Sequence, residues 1–133
     1  RAAGSDRPML PYHDHSGPHV TSRLIERMSR ESVALVSDAG TPLISDPGYA
    51  LVREARARGI PVTSAPGPSA AIMALSISGL PTDRFLFAGF LPPKAAARDK
   101  AIAGLAGVPA TLVFYETGPR LAATLATLAA ALG

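Results

Sequence analysis

The apolar run Val33, Ala34, Leu35 and Val36 passes within two residues into a loop that holds Asp38, Gly40, Pro42, Asp46, Pro47 and Gly48. A helical pattern starts directly after it, over residues 49–58. The run is short and rich in β-branched residues, which predicts a buried strand. Strand, loop and helix in that order predict an α/β unit, and in such units ligands bind where the loop leaves the strand's C-terminal end. Gly40 would let a ligand come close to the backbone with no Cβ in the way. Pro42 and Pro47 fix local φ and remove donors, so the loop is stiff. An ordinary tight turn is the alternative, but one Gly or Pro suffices for that.

The same strand-to-helix alternation continues along the chain. Val20, Leu24, Ile25 and Met28 recur at helical spacing, with Arg23, Glu26, Arg27 and Arg30 opposite them. In the helix after the first loop, Leu51, Val52 and Ala55 face inward and Gly59 is the expected C-terminal cap. Residues 61–65 read as a short strand. A second glycine loop, Pro66-Gly67-Pro68, precedes Ser69, which is placed to cap a helix over 70–78. Strands are expected at 85–90 and 111–115. A helix carrying Arg98, Asp99, Lys100 and Ile102 lies between them, and a final helix starts near Arg120. The fold class expected is α/β, with a mostly parallel sheet flanked by helices. Pro92-Pro93 is the expected domain boundary, which gives a first domain over 1–92 and the start of a second over 93–133. No repeat of solenoid period is present.

Composition narrows the chemistry. The chain has 133 residues, 47% hydrophobic and 17% charged, which predicts a globular fold rather than disorder. With no cysteine there is no disulfide framework, thiolate metal site or cysteine nucleophile. No apolar run reaches the ~18 residues of a membrane span, and the first seven residues do not read as a signal peptide. These features suit the cytoplasm. The net charge of +3 is only weak support for an anionic partner.

Several side chains could carry chemistry. The loops at Gly40 and Gly67 should open at one edge of a parallel sheet, where backbone N–H groups and the Ser69 hydroxyl suit a carboxylate or phosphate. Neither loop has a dinucleotide or P-loop pattern. His13-Asp14-His15, with His19 nearby, could chelate a metal or serve acid–base chemistry. No carboxylate or cysteine cluster completes a zinc set, so hydrogen-bonded histidines and no metal are expected. Asp38, at the end of the first strand, suits either a functional carboxylate or a turn-stabilising one. Glu116 and Arg120 stand at i, i+4, the spacing of a surface ion pair. Lys94, Arg98 and Lys100 form a basic segment after Pro92-Pro93, either solvated or gripping phosphates.

These motifs together carry a family resemblance. VSDAGTPLISDPGY at 36–49 resembles the signature loop of one branch of the tetrapyrrole-methylase superfamily, the branch that methylates small-subunit ribosomal RNA in bacteria. PGPSA at 66–70, GLPTDRF at 79–85, GFLPPK at 89–94 and Phe114-Tyr115-Glu116 with Arg120 extend it. YHDH at 12–15 is similar to the family's Tyr-His-x-His segment. The resemblance covers nearly the whole chain. It implies S-adenosyl-L-methionine as cofactor, in a cleft between two α/β domains. By the same resemblance, Ala39, Gly40, Thr41 and Ile44 match the first cofactor loop, and Ser69 and Ala70 the second.

The activity implied is 2′-O-methylation of a cytidine in the decoding region of 16S rRNA within the small ribosomal subunit, by a cytoplasmic homodimer when full length. Asp38, His15 and Glu116 are candidates for the base near the 2′-hydroxyl. Lys94, Arg98, Lys100 and Arg120 are candidates for RNA contact. Related porphyrin methylases have Gly-Asp-Pro where this chain has Gly40-Thr41-Pro42, so a tetrapyrrole C-methyltransferase is the second choice. A catalytically inactive RNA-binding fragment is the third. The family's opening strand and most of its second domain have no counterpart, so truncation at both ends is expected.

Overall fold

In a computed structural model the described residues are 6–13 and 15–133; Asp14, the variable position of the Tyr-His-x-His segment, lies outside them. The chain divides into two compact units between Gly67 and Pro68.

In the first unit, helix α1 (Pro18–Met28) begins on a proline, whose missing N–H costs nothing at that position. Its Leu24 and Ile25 are buried against Leu51 and Ala55 of helix α2 (Tyr49–Ala57), and Tyr12, Met28 and Ile60 pack around them. Burial of Ile25 and of Leu51 contributes roughly 1.5–3 kcal/mol each. The inward face expected of each helix is therefore the one observed, apart from Val20, which is 39% exposed. Gly59 ends α2 as expected. With φ at +70° it donates its N–H to Arg56 O (3.1 Å), and Ile60 N–H reaches Ala55 O (3.0 Å). This double closure satisfies two terminal carbonyls and turns Ile60 back onto the core.

In the second unit, helix α3 (Ala70–Ile77) packs on strand β2 (Thr111–Tyr115). Strand β1 (Phe85–Phe90), helix α4 (Ala95–Ala103), β2 and helix α5 (Gly118–Leu132) follow the order expected. β1 and β2 pair in parallel, as a strand–helix–strand crossover requires. The register slips between Phe87 and Gly89, where Gly89 takes φ +65° in a bulge. Tyr115 meets Phe87 and Phe90 edge-on, at ring separations of 4.8 and 5.5 Å. The Thr111 hydroxyl donates to Pro81 O (2.7 Å) and ties the start of β2 to the loop before β1.

Two expected strands differ. Residues 33–36 and 61–65 carry no ladder. A strand exists only where a neighbour takes up its N–H and C=O groups, and among the described residues neither segment has one. The sheet is thus two-stranded, flanked by helices, and the class is α/β. Pro92-Pro93 falls inside the second unit, and β1 and β2 pair across it. Among the described residues no helix is long and apolar enough to cross a membrane.

Candidate functional site

The loop between residues 37 and 48 is held in an unusual backbone conformation. Gly40, Leu43, Ser45 and Gly48 all have positive φ, at +72°, +73°, +57° and +132°. Leucine and serine rarely adopt it, and such strain, about 1–3 kcal/mol per residue, concentrates at ligand clamps and active sites. Ser37 Oγ donates to Ala39 O (2.8 Å) and Ile44 N–H to Thr41 O (3.2 Å), which hold the loop's two bends. Asp38, Ala39, Gly40 and Ile44 are exposed, and Thr41 is half-buried. The Asp38 carboxylate makes no hydrogen bond or ion pair with the described residues. Asp46 Oδ2 is buried and has no hydrogen-bond partner among the described residues. The sequence shows Asp46 flanking the loop, but nothing in its spacing marks it as buried.

The loop's two outer glycines play different parts. A Cβ on Gly40 would meet nothing within 4 Å, so the space above it is open. A Cβ on Gly48 would collide with Leu35 Cδ2 at 2.6 Å. Gly40 offers access, and Gly48 packs the loop onto the 33–36 segment.

Ser69 and Ala70 begin α3 in the second unit. Ser69 occupies the N-cap position, but its hydroxyl makes no capping bond, contrary to expectation. Its carbonyl accepts Met73 N–H (2.9 Å) and leaves the hydroxyl available.

His13 and His15 are both exposed, with ring centroids 6.3 Å apart. His13 N–H donates to Ser16 Oγ (3.0 Å), and Ser16 N–H returns to His13 O (2.8 Å). Among the described residues no group of three or more His, Cys, Asp or Glu is gathered as a metal site.

Glu116 and Arg120 are more than the surface ion pair their spacing suggests. The Glu116 side chain is 6% exposed. Its Oε2 accepts from the Thr124 hydroxyl (2.7 Å) and lies 3.2 Å from Arg120 Nη2, and its Oε1 accepts Thr117 N–H (2.7 Å). Thr124 and the Thr117 N–H, with the Arg120 charge beside them, hold this carboxyl below its ordinary value. Arg120 Nη2 also donates to Leu91 O (2.6 Å) and Pro92 O (3.3 Å), while its Nε is buried without a partner. The only sign of Thr124 in the sequence is its place at i+4 from Arg120 on the same helix face.

Lys94 is exposed at the N-cap of α4, and Arg98 is half-buried with its Nε shielded and unpartnered. These two stand at i, i+4 and share a face, whereas exposed Lys100 projects from another side. An open groove of about 620 Å³ lies between β2 and α5, lined by residues such as Leu112, Phe114, Leu125 and Leu132. None of the expected site residues lines it.

The α/β fold and this loop define a class. The family model described as Tetrapyrrole (Corrin/Porphyrin) Methylases matches residues 13–133, and the chain belongs to that family. Within it, the chain is similar to proteins named Ribosomal RNA small subunit methyltransferase I. The protein from Xylella fastidiosa is 56% identical over 98% of this chain and 48% of its own length. Those from Mesorhizobium japonicum and Escherichia coli O157:H7 are 51% and 47% identical over 98% of this chain and 45% and 46% of their own lengths. The chain thus spans about half the length of the curated relatives it matches.

Proposed function

We propose that the longer protein to which this chain corresponds is an S-adenosyl-L-methionine-dependent methyltransferase of small-subunit ribosomal RNA, acting on a cytidine ribose 2′-hydroxyl in the decoding region of 16S rRNA. The observation that carries this reading is the 47–56% identity, over 98% of the chain, to relatives that bear the small-subunit methyltransferase name. We place it in the cytoplasm, as a homodimer when full length.

The residues present suit the cofactor. Gly40 faces open space, its loop neighbours Ala39 and Ile44 are exposed and Thr41 is half-buried, and Asp46 Oδ2, unpartnered among the described residues, suits a hydroxyl or ammonium donor. Ser69 and Ala70 supply a free hydroxyl and the first N–H groups of α3. When bound, S-adenosyl-L-methionine would supply an electrophilic methyl that the ribose oxygen takes up in line, as the sulfur leaves neutral and the hydroxyl proton passes to a base. The protein's part is chiefly to position the two reactants. Asp38 is the favoured base. Its carboxylate is exposed and uncommitted, whereas that of Glu116 is engaged by Thr124, Thr117 and Arg120. His15 is the second candidate. Lys94, Arg98 and Lys100 would contact RNA phosphates. Because β1 and β2 share one sheet, we place the start of the second domain before Phe85 rather than at Pro93.

The test is methyl transfer from labelled cofactor to small ribosomal subunits by the full-length protein. Label recovered as 2′-O-methylcytidine is the expected result. Label in a porphyrinoid instead would assign a tetrapyrrole C-methyltransferase, and calorimetry showing no cofactor binding would separate a catalytically inactive RNA-binding protein from both enzymes.

A further inference from the structure

We propose that Arg120 is a positioning residue: gripped by Glu116 on a carboxylate braced by Thr124, it fixes the backbone of Leu91 and Pro92 and thereby the direction in which Lys94 and Arg98 face the RNA. This inference rests on the reading of the α4 basic residues as the RNA contact.

The chain just ahead of α4 is difficult to hold. Pro92 and Pro93 have no N–H, so their backbone can be anchored only through carbonyls. Arg120 Nη2 takes one of these, Pro92 O at 3.3 Å, together with the carbonyl just before them, Leu91 O at 2.6 Å, from 28 to 29 residues further along the chain. The anchor is itself rigid. Glu116 is nearly buried, Thr124 is 2% exposed, and the Leu91 side chain is 4% exposed. Two residues past Pro92, Lys94 caps α4, and its carbonyl accepts Arg98 N–H (2.9 Å). Any tilt of the Leu91 and Pro92 backbone therefore carries Lys94 and Arg98 with it. Arg120 has little capacity left for a phosphate, since its side chain is only 28% exposed and Nη2 is shared among three acceptors. A lysine at 120 would keep the charge, but its stem is one bond shorter than the arginine path to Nη2 and more flexible, so its ammonium would fall short of the position from which Nη2 reaches Leu91 O and Pro92 O.

The experiment is a mutant cycle in the full-length protein, with KM and kcat measured on small ribosomal subunits and cofactor affinity measured separately. Arg120→Lys should raise KM for the subunit about tenfold, the scale of one lost charge-assisted contact, with kcat and cofactor affinity changed less than twofold. Thr124→Val, nearly isosteric and retaining both charges, should move KM the same way by a smaller factor. In a Lys94→Ala/Arg98→Ala background, which alone should raise KM, Arg120→Lys should have no further effect. Additive effects would overturn the inference and make Arg120 a direct RNA contact. An Arg120→Lys variant with unchanged KM would also overturn it. If Lys94→Ala/Arg98→Ala leaves KM unchanged, the basic-face reading itself fails, and this inference with it.

Discussion

A Cβ placed on Gly48 would stand 2.6 Å from Leu35 Cδ2, closer than real side-chain carbons approach. Gly48 also has φ +132°, and its other neighbours are Leu43 Cδ1 and Cγ at 3.0 and 3.3 Å. The end of the signature loop is thus pressed against the segment that leads into it. Gly40, eight positions earlier, is unconfined.

The two glycines should therefore respond differently to the same change. Gly48→Ala combines overpacking with backbone strain and should cost about 2–4 kcal/mol. Gly40→Ala meets only the backbone penalty and should cost about 1 kcal/mol. Urea midpoints of the two full-length variants measure the difference, and equal losses would remove the Leu35 contact as its cause.

The open space over Gly40 carries a prediction about the cofactor. Gly40→Val should weaken S-adenosyl-L-methionine binding at least tenfold in calorimetry, because a branched side chain would fill that space, while the protein remains folded. An unchanged dissociation constant would take the loop out of the pocket.

Ser45 is exposed and holds φ at +57°. Ser45→Gly should be neutral or stabilising by up to about 1 kcal/mol, since relief of strain outweighs or balances the added freedom of the unfolded chain. Ser45→Val should destabilise by about 1–2 kcal/mol. Thermal unfolding of the pair checks the sign.

Glu116 sets an acid limb. Its carboxyl is lowered from the ordinary value of 4.5 by the Thr124 hydroxyl first, then by the Thr117 N–H, with a smaller part from Arg120. A group depressed in the folded state contributes stability that is fully present above the unfolded value and is lost as pH falls through the folded one. The stability difference between the native protein and Glu116→Gln should therefore be constant from pH 7 to about 5 and shrink below pH 4.5. Thr124→Val should make that decline smaller, because it brings the folded value back toward the unfolded one. A difference independent of pH would mean that Glu116 is not titrating there.

Much of this architecture was legible in the residues. The 3.6-residue spacing of Leu24, Ile25, Leu51 and Ala55 identified the buried helix faces, and Gly59 marked the end of α2. β1 and β2 fall where apolar runs bounded by turn residues placed them. The loop at 38–48 is marked by its Gly, Pro and Asp density, and both non-glycine residues of positive φ among the described residues, Leu43 and Ser45, lie in it. Pro92-Pro93 is a strong local break, but only the β1–β2 ladder shows that sheet pairing continues across it.

Periodicity, capping and turn chemistry are local, acting over four residues or so, and the sequence by itself determined the helices, their inward faces, the two paired strands and the position of the Gly- and Pro-rich loop at 38–48. Tertiary structure decided the rest. It left residues 33–36 and 61–65 without a ladder, because a strand depends on a partner its own residues do not supply. It turned the i, i+4 pair of Glu116 and Arg120 into a buried anchor for Leu91 and Pro92. It buried Asp46 Oδ2 with no partner among the described residues. Each of these depends on burial and on groups far apart in the chain, and local sequence carries no record of which distant atoms will exclude water from a given charge.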